Sequence, residues 1–90
     1  MITFTRKAQN DIDSAYEWYE DQVAALGERF LTVVESALER IGESPYAFPL
    51  YENQIRRLVL SRFPYVIYYE VNAEQIIILR ILHQSRNTQP

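Results

Sequence analysis

Residues 62–82 read RFPYVIYYEVNAEQIIILRIL and contain two runs of β-branched and aromatic residues, at 65–71 and 75–82. Residues of these types favour β-strands, and the short segment between the runs is enough for a tight turn. A third run of the same kind occupies 55–61 and is joined to the first by Arg62-Phe63-Pro64. Connections this short join neighbouring antiparallel strands, so the C-terminal half is predicted to form a three-stranded meander.

The N-terminal half begins with a short strand and continues with the periodicity of helices. Ile2 and Phe4 alternate with threonines, and from Lys7 the apolar residues recur every three or four positions. The first stripe consists of Ala8, Ile12, Ala15, Tyr19 and Val23. The second consists of Phe30, Val33, Val34, Ala37, Leu38 and Ile41. We expect Gly27 to separate two helices and Gly42 to cap the second, before a proline-containing loop.

These elements predict an α+β fold with the order β-α-α-β-β-β, in which a two-helix hairpin packs on one face of the sheet. A chain of 90 residues is too short to divide between two hydrophobic cores. Residues 1–90 are therefore predicted to form a single domain.

The last predicted strand is apolar on both faces. Period-two alternation assigns to one face Ile77, Leu79 and Ile81. It assigns to the other face Ile76, Ile78 and Leu82. One helical hairpin covers only one face of a sheet, so we expect a partner or target protein to cover the second face. The predicted binding residues are Arg57, Ile76, Ile78, Arg80, Leu82 and Arg86.

The net charge of −3 is unevenly distributed. Residues 1–50 contain nine acidic and four basic residues, whereas residues 51–90 contain five arginines and three glutamates. The C-terminal half is thus the candidate surface for an anionic partner. Strong non-specific binding to RNA usually draws on a broad basic field, which the acidic chain lacks, and this argues against a ribosome-bound nuclease.

Several kinds of site lack the residues they would need. The chain contains no cysteine and one histidine, so we expect no disulfide and no metal site. Its only glycines, Gly27 and Gly42, cannot form a phosphate-binding loop, so no nucleotide cofactor is expected. No apolar run is long enough to cross a membrane, and the absence of cysteine suits a reducing cytoplasm.

Arg80, His83 and Arg86 could in principle cleave a phosphodiester without metal. An imidazole can transfer the proton of a 2′-hydroxyl group, and guanidinium groups can stabilise negative charge on the phosphorane. The simpler interpretation is that His83 ends a strand and that the arginines keep a sheet edge in water. Residue types alone favour the simpler interpretation but leave both open.

The chain resembles the RelE/ParE toxin superfamily in three motifs that occur in the expected order. They are the helix pattern Ala8-x-x-Asp11-Ile12 with Tyr19, the helix start Leu26-Gly27-x-x-Phe30, and the sheet end His83-x-x-Arg86. The strand that begins Phe63-Pro64-Tyr65 is similar to that of ParE-like members. The resemblance implies a two-helix hairpin packed on a curved antiparallel sheet.

The ParE-like branch implies a cytoplasmic toxin of a type II toxin–antitoxin, or plasmid stabilisation, system. Toxins of this branch inhibit DNA gyrase by direct binding, need no cofactor, and are neutralised by a cognate antitoxin of the ParD or RelB type. These properties are our expectation for the chain.

RelE-like members of the superfamily are instead ribosome-dependent mRNA endonucleases, and here His83, Arg80 and Arg86 would be the catalytic candidates. RelE-like cleavage relies on an arginine in the third strand, where this chain has Tyr65, Val66, Ile67 and Tyr68. That difference favours the gyrase inhibitor. A toxin-like fold that serves only as a non-toxic interaction module is the third alternative.

Overall fold

The computed structural model describes residues 1–85 and places them in two helices and five strands. In chain order the elements are β1 Ile2–Phe4, α1 Arg6–Gln22, α2 Leu26–Glu43, β2 Leu50–Glu52, β3 Ile55–Val59, β4 Tyr65–Asn72 and β5 Gln75–His83. The predicted α+β fold and its helical hairpin are confirmed. The structure adds β2, which has only three residues and therefore shows no alternation in the sequence.

The five strands form one mixed sheet in the order β1-β5-β4-β3-β2. The predicted meander corresponds to β3, β4 and β5, which pair antiparallel. Strand β1 pairs parallel with β5, with Ile2 opposite Ile76, so the sheet is not purely antiparallel as the resemblance implied. The helical hairpin carries the chain from β1 across the sheet before the meander begins.

Helix α1 begins at a side-chain cap that also ties it to the sheet. The Thr5 hydroxyl group accepts a hydrogen bond from the Ala8 N–H at 3.0 Å and donates one to the Leu79 carbonyl oxygen at 2.8 Å. An N-cap threonine satisfies a helix N–H that would otherwise lack a partner. The predicted stripe of α1 is buried from Ala8 to Tyr19, whereas Val23 lies beyond the helix and is 59% exposed.

The turn between the helices is held by Glu20. Its carboxylate accepts hydrogen bonds from the N–H groups of Ala25 and Gly27, each at 2.9 Å. The break falls at Ala25, which has a left-handed φ of 71°, and Gly27 is already inside α2. Gly27 therefore does not separate the helices as predicted. A Cβ atom there would lie 2.7 Å from the Tyr16 carbonyl oxygen, so the residue allows α1 and α2 to approach closely.

The prediction that Gly42 caps α2 is also wrong. The helix continues through Glu43, and its C-cap is Ser44, whose N–H donates to the Arg40 carbonyl oxygen at 3.0 Å. The buried stripe of α2 is nevertheless close to the predicted one, because Phe30, Val34 and Ile41 all lie in the core.

A β-bulge at Leu79 changes which residues of β5 enter the core. Tyr69 pairs with Ile78 and Tyr68 pairs with Arg80, so Leu79 is the extra residue. Such a residue shifts the alternation of side chains by one position. Ile76, Ile78 and Ile81 consequently all belong to the core between sheet and helices. The prediction that Ile76 and Ile78 face away from the helices is wrong, because it extended a strict period of two through the bulge.

Candidate binding surface

The sheet face turned away from the helices carries apolar, aromatic and arginine side chains. Its residues alternate along their strands with residues of the core. Val66 and Tyr68 are buried on this face although they do not belong to the core cluster. We define the open face by Tyr51, Arg57, Val59, Val66, Tyr68, Ile77 and Leu82.

The centre of the open face is a group of two tyrosines and one arginine. The Tyr51 and Tyr68 rings meet edge to face with centroids 5.1 Å apart. The guanidinium carbon of Arg57 lies 5.6 Å from the centroid of the Tyr51 ring, at cation–π distance. Tyr68 is 9% exposed, whereas the neighbouring Val59 is 50% exposed. Tyrosine and arginine anchors of this kind are common where proteins bind other proteins.

The predicted binding residues do not all lie on this surface. Arg57 and Leu82 belong to the open face, and they are joined there through the strand pairings of β3, β4 and β5. Ile76 and Ile78 are core residues with 6% and 0% exposure and cannot contact a partner without unfolding. Arg86 lies outside the described residues.

Arg80 pairs with Tyr68 of the open face, but its guanidinium group is held at the edge of β5 by a carboxylate of α1. Its Nε and Nη2 atoms donate to the two oxygens of Asp11 at 2.8 Å and 3.0 Å. Oδ2 of Asp11 also accepts the N–H of Ile81 at 2.9 Å, a backbone group that lies beyond the part of β5 paired with β1. Hydrogen bonding to Asp11 raises the pKa of Arg80 above its ordinary value. The guanidinium group is thus committed to joining α1 to the sheet.

His83 ends β5 next to Tyr65 and Ser85. Its ring lies edge to face with the Tyr65 ring, with centroids 5.1 Å apart. The Nδ1 atom accepts the Ser85 N–H at 3.1 Å and lies 3.2 Å from the Ser85 hydroxyl oxygen. A neutral ring that accepts at Nδ1 carries its proton on Nε2. His83 and Arg80 therefore have different polar partners, Ser85 and Asp11.

Sequence reasoning missed the two tyrosines of the open face. Tyr68 could have been recognised, since it alternates with the core residues Ile67 and Tyr69. Tyr51 gave no signal, because β2 is short and irregularly paired with β3.

Residues 1–85 contain neither a cluster of metal-binding side chains nor a helix that could span a membrane. No group of three or more histidine, aspartate and glutamate side chains comes close enough together to hold a metal ion. In the same part of the chain, neither helix combines the length and apolar character needed to cross a bilayer.

Comparisons with known proteins agree with this architecture. Residues 2–88 match the family model described as the ParE toxin of the type II toxin–antitoxin system parDE. A solved structure of the chromosomal ParDE toxin–antitoxin system from P. aeruginosa is similar to the chain, with 27% sequence identity and a TM-score of 0.68. The similarity covers 91% of this chain and 92% of that one. No curated protein sequence matches. Because the family model spans almost the whole chain, the protein belongs to the ParE toxin family of type II toxin–antitoxin systems.

Proposed function

We propose that this ParE toxin arrests growth by binding DNA gyrase directly, and that a cognate antitoxin of the ParD type neutralises it by covering the open face. The observation that carries the proposal is a sheet face with aromatic and arginine anchors that neither helix of residues 1–85 covers, in a chain of the ParE family.

The open face has the composition of a protein-binding surface. Its apolar margin includes Val59, which is 50% exposed, and the partly exposed Leu82. Exposed apolar side chains beside tyrosine and arginine are typical of a surface that binds another protein. Burial of Leu82 and Val59 by an antitoxin segment would remove this area from water, and Arg57 would select an acidic group on that segment.

Direct binding to gyrase is supported by the family and by the positions of the candidate catalytic groups. A nuclease would need Arg80 to stabilise negative charge on a phosphate. Two of its donor atoms, Nε and Nη2, are instead hydrogen-bonded to the Asp11 carboxylate, which draws the guanidinium group toward α1. Freeing Arg80 would leave the Asp11 carboxylate with fewer donors, and that is a cost that substrate binding would have to offset.

The test is induced expression of the chain with and without its cognate antitoxin, whose gene we expect in the neighbouring reading frame. Growth should stop, plasmid isolated from arrested cells should have lost negative supercoils, and co-expression of the antitoxin should prevent both effects. Arrest with normally supercoiled plasmid and mRNA cut at ribosomal A-site codons would favour the endonuclease. Normal growth at matched expression would favour a non-toxic interaction module.

A further inference from the structure

A groove runs along α2 on a side of the molecule distinct from the open face. Two depressions, of about 830 Å³ and about 290 Å³, lie between α2 and the turn that joins β3 to β4. They share Thr32, Val33 and Arg62 and so form one continuous feature. We call it the arginine groove, after the three arginines on its rim, Arg29, Arg40 and Arg62.

None of the three rim arginines forms an ion pair with a carboxylate of residues 1–85. The ion pair within these residues joins Asp11 to Arg80. Arg40 places its guanidinium carbon 5.3 Å from the centroid of the Phe48 ring, which orients the group without neutralising it. All three side chains are exposed. The rim therefore carries three guanidinium groups that are not in ion pairs within residues 1–85, on a chain whose net charge is −3.

The floor of the arginine groove is apolar. Val33 of α2, Leu58 of β3, Leu60 and Phe63 contribute to it. Hydroxyl groups of Thr32, Ser36 and Ser61 lie along its length. An apolar floor between cationic sides is complementary to a peptide with apolar residues on one side and carboxylates at its borders. A nucleic acid backbone would match the charge but would leave the floor without an apolar partner.

The spacing of the arginines indicates the length of the ligand. Arg29 and Arg40 are both in α2, and their separation along that helix corresponds to roughly 16 Å at 1.5 Å per residue. Roughly three turns of a second helix, or about five residues of extended chain, span the same distance. Arg62 faces α2 from the other wall and belongs to both depressions.

Arg62 is presented by a turn that is held in an unusual conformation. Its φ of 72° is in the left-handed region, which residues other than glycine and asparagine rarely adopt. The next residue, Phe63, anchors the turn by packing its ring against Tyr19 at 5.0 Å and Phe30 at 5.4 Å between centroids. Packing that maintains an unfavourable backbone conformation is a feature of binding sites, and here it fixes the position of a cationic side chain.

We propose that the arginine groove binds an acidic amphipathic peptide segment of a protein partner. The carboxylates of the segment pair with Arg29, Arg40 and Arg62, and its apolar side chains cover the groove floor. This site is independent of the open face and of the proposed gyrase target.

The probe is a fluorescein-labelled peptide of about 14 residues with leucines at helical spacing and glutamates on both borders. The control peptide has glutamine in place of every glutamate. Fluorescence anisotropy should show that the purified toxin binds the acidic peptide, that affinity falls as salt rises, and that the glutamine peptide binds at least tenfold more weakly.

Variants of the toxin locate the site. Arg62→Asn removes the guanidinium group but suits the left-handed backbone, so the fold should persist while affinity falls about tenfold. Arg29→Ala should have a similar effect. Arg6→Ala removes an exposed arginine at the start of α1 and should leave affinity unchanged. Leu82→Lys on the open face should also leave it unchanged, which separates this proposal from the antitoxin proposal.

Three results would overturn the assignment. The first is no detectable binding of the acidic peptide at low salt by wild-type protein. The second is equal loss of affinity in Arg6→Ala and Arg62→Asn, because the attraction would then come from overall charge. The third is tighter binding of a labelled DNA duplex, weakened by the same arginine substitutions, which would make the groove a phosphate site.

Discussion

Asp11 and Arg80 are 69 positions apart in the chain and form a two-point ion pair that joins α1 to the edge of β5. Their side chains are only 15% and 23% exposed, so water screens the pair incompletely. The same carboxylate accepts the N–H of Ile81, which lies beyond the residues of β5 that pair with β1. One aspartate therefore satisfies a backbone donor of a strand edge that would otherwise be available to another chain.

We expect Asp11→Ala to destabilise the toxin by about 2 kcal/mol, since it leaves a charged donor and a backbone N–H without their acceptor. Asp13→Ala is the matched control. Asp13 is exposed and accepts a hydrogen bond from Gln9 at 3.1 Å, so its loss should change stability by less than about 0.5 kcal/mol. Urea unfolding followed by circular dichroism measures both. Equal stability of the two variants would show that the Asp11 contacts do not stabilise the sheet edge.

Lysine substitutions on the two faces of β5 should have different effects on folding and on antitoxin binding. Ile78 is fully buried, so Ile78→Lys should prevent folding, because the core offers no partner for the charge. Leu82→Lys lies on the open face and should leave the protein folded while weakening antitoxin binding by about 1 to 3 kcal/mol.

Circular dichroism tests the folding of both variants, and isothermal titration with the antitoxin tests binding. The control is Val23→Lys, which changes an exposed apolar residue in the turn between the helices. Unchanged antitoxin affinity in a folded Leu82→Lys variant would remove the antitoxin from the open face.

Substitution of alanine for each of the two glycines should change stability in opposite directions. At Gly27 a Cβ atom would lie 2.7 Å from the Tyr16 carbonyl oxygen, and the helices would have to separate, so Gly27→Ala should cost about 1 to 3 kcal/mol. At Gly42 the nearest atom would be Ile2 Cδ1 at 3.8 Å, an ordinary contact. Gly42→Ala should therefore stabilise α2 by about 0.5 to 1 kcal/mol. Thermal unfolding would contradict this account if both substitutions shifted the midpoint in the same direction.

Tyr69 makes the stability of the protein depend on pH in the alkaline range. Burial raises its pKa above the ordinary value of 10.0, against the opposing effect of Arg56, and its hydroxyl group donates to the Pro45 carbonyl oxygen at 2.8 Å. Below pH 10 the group is protonated in both states, whereas above it the unfolded chain loses the proton first. The stability due to Tyr69 is thus present below pH 10 and is lost as pH rises through the folded pKa.

Tyr69→Phe should cost about 1 kcal/mol near neutral pH, through loss of the hydrogen bond. That cost should shrink above pH 10, because phenylalanine does not titrate. Urea unfolding of both proteins across this range measures the difference in their free energies of unfolding. The other tyrosines are present in both proteins, so their contributions cancel. A cost that grows with pH would mean that the Tyr69 hydroxyl group is not buried as described.

Local pattern was sufficient to predict the helices and the meander. Residues close in the chain produce the apolar stripes of α1 and α2. They also produce the β-branched and aromatic runs of β3, β4 and β5. The turn between the helices differs from the prediction because it is held by hydrogen bonds from the N–H groups of Ala25 and Gly27 to the Glu20 carboxylate, which residue types alone do not indicate. Gly27 suggests a helix break in the sequence, whereas in the fold it lies within α2 and allows the two helices to pack closely.

The site was harder to predict than the fold for a similar reason. The bulge at Leu79 depends on how β4 and β5 pair, and the residue types of the two strands do not indicate its position. Ile76 and Ile78 were consequently assigned to the wrong face. The partner of Arg80 lies on α1, so an arginine that looked available from the sequence is engaged with Asp11.

The most direct test of the central claim is a supercoiling assay with purified gyrase, relaxed plasmid, and increasing amounts of the wild-type toxin or His83→Phe. If the toxin acts by binding, both proteins should inhibit supercoiling at similar concentrations, and added antitoxin should restore it. Phenylalanine keeps the ring beside Tyr65 but cannot transfer a proton, a loss that slows general acid–base catalysis by about a hundred- to ten-thousand-fold. Normal supercoiling at saturating wild-type toxin, together with ribosome-dependent mRNA cleavage that disappears in His83→Phe, would contradict the account.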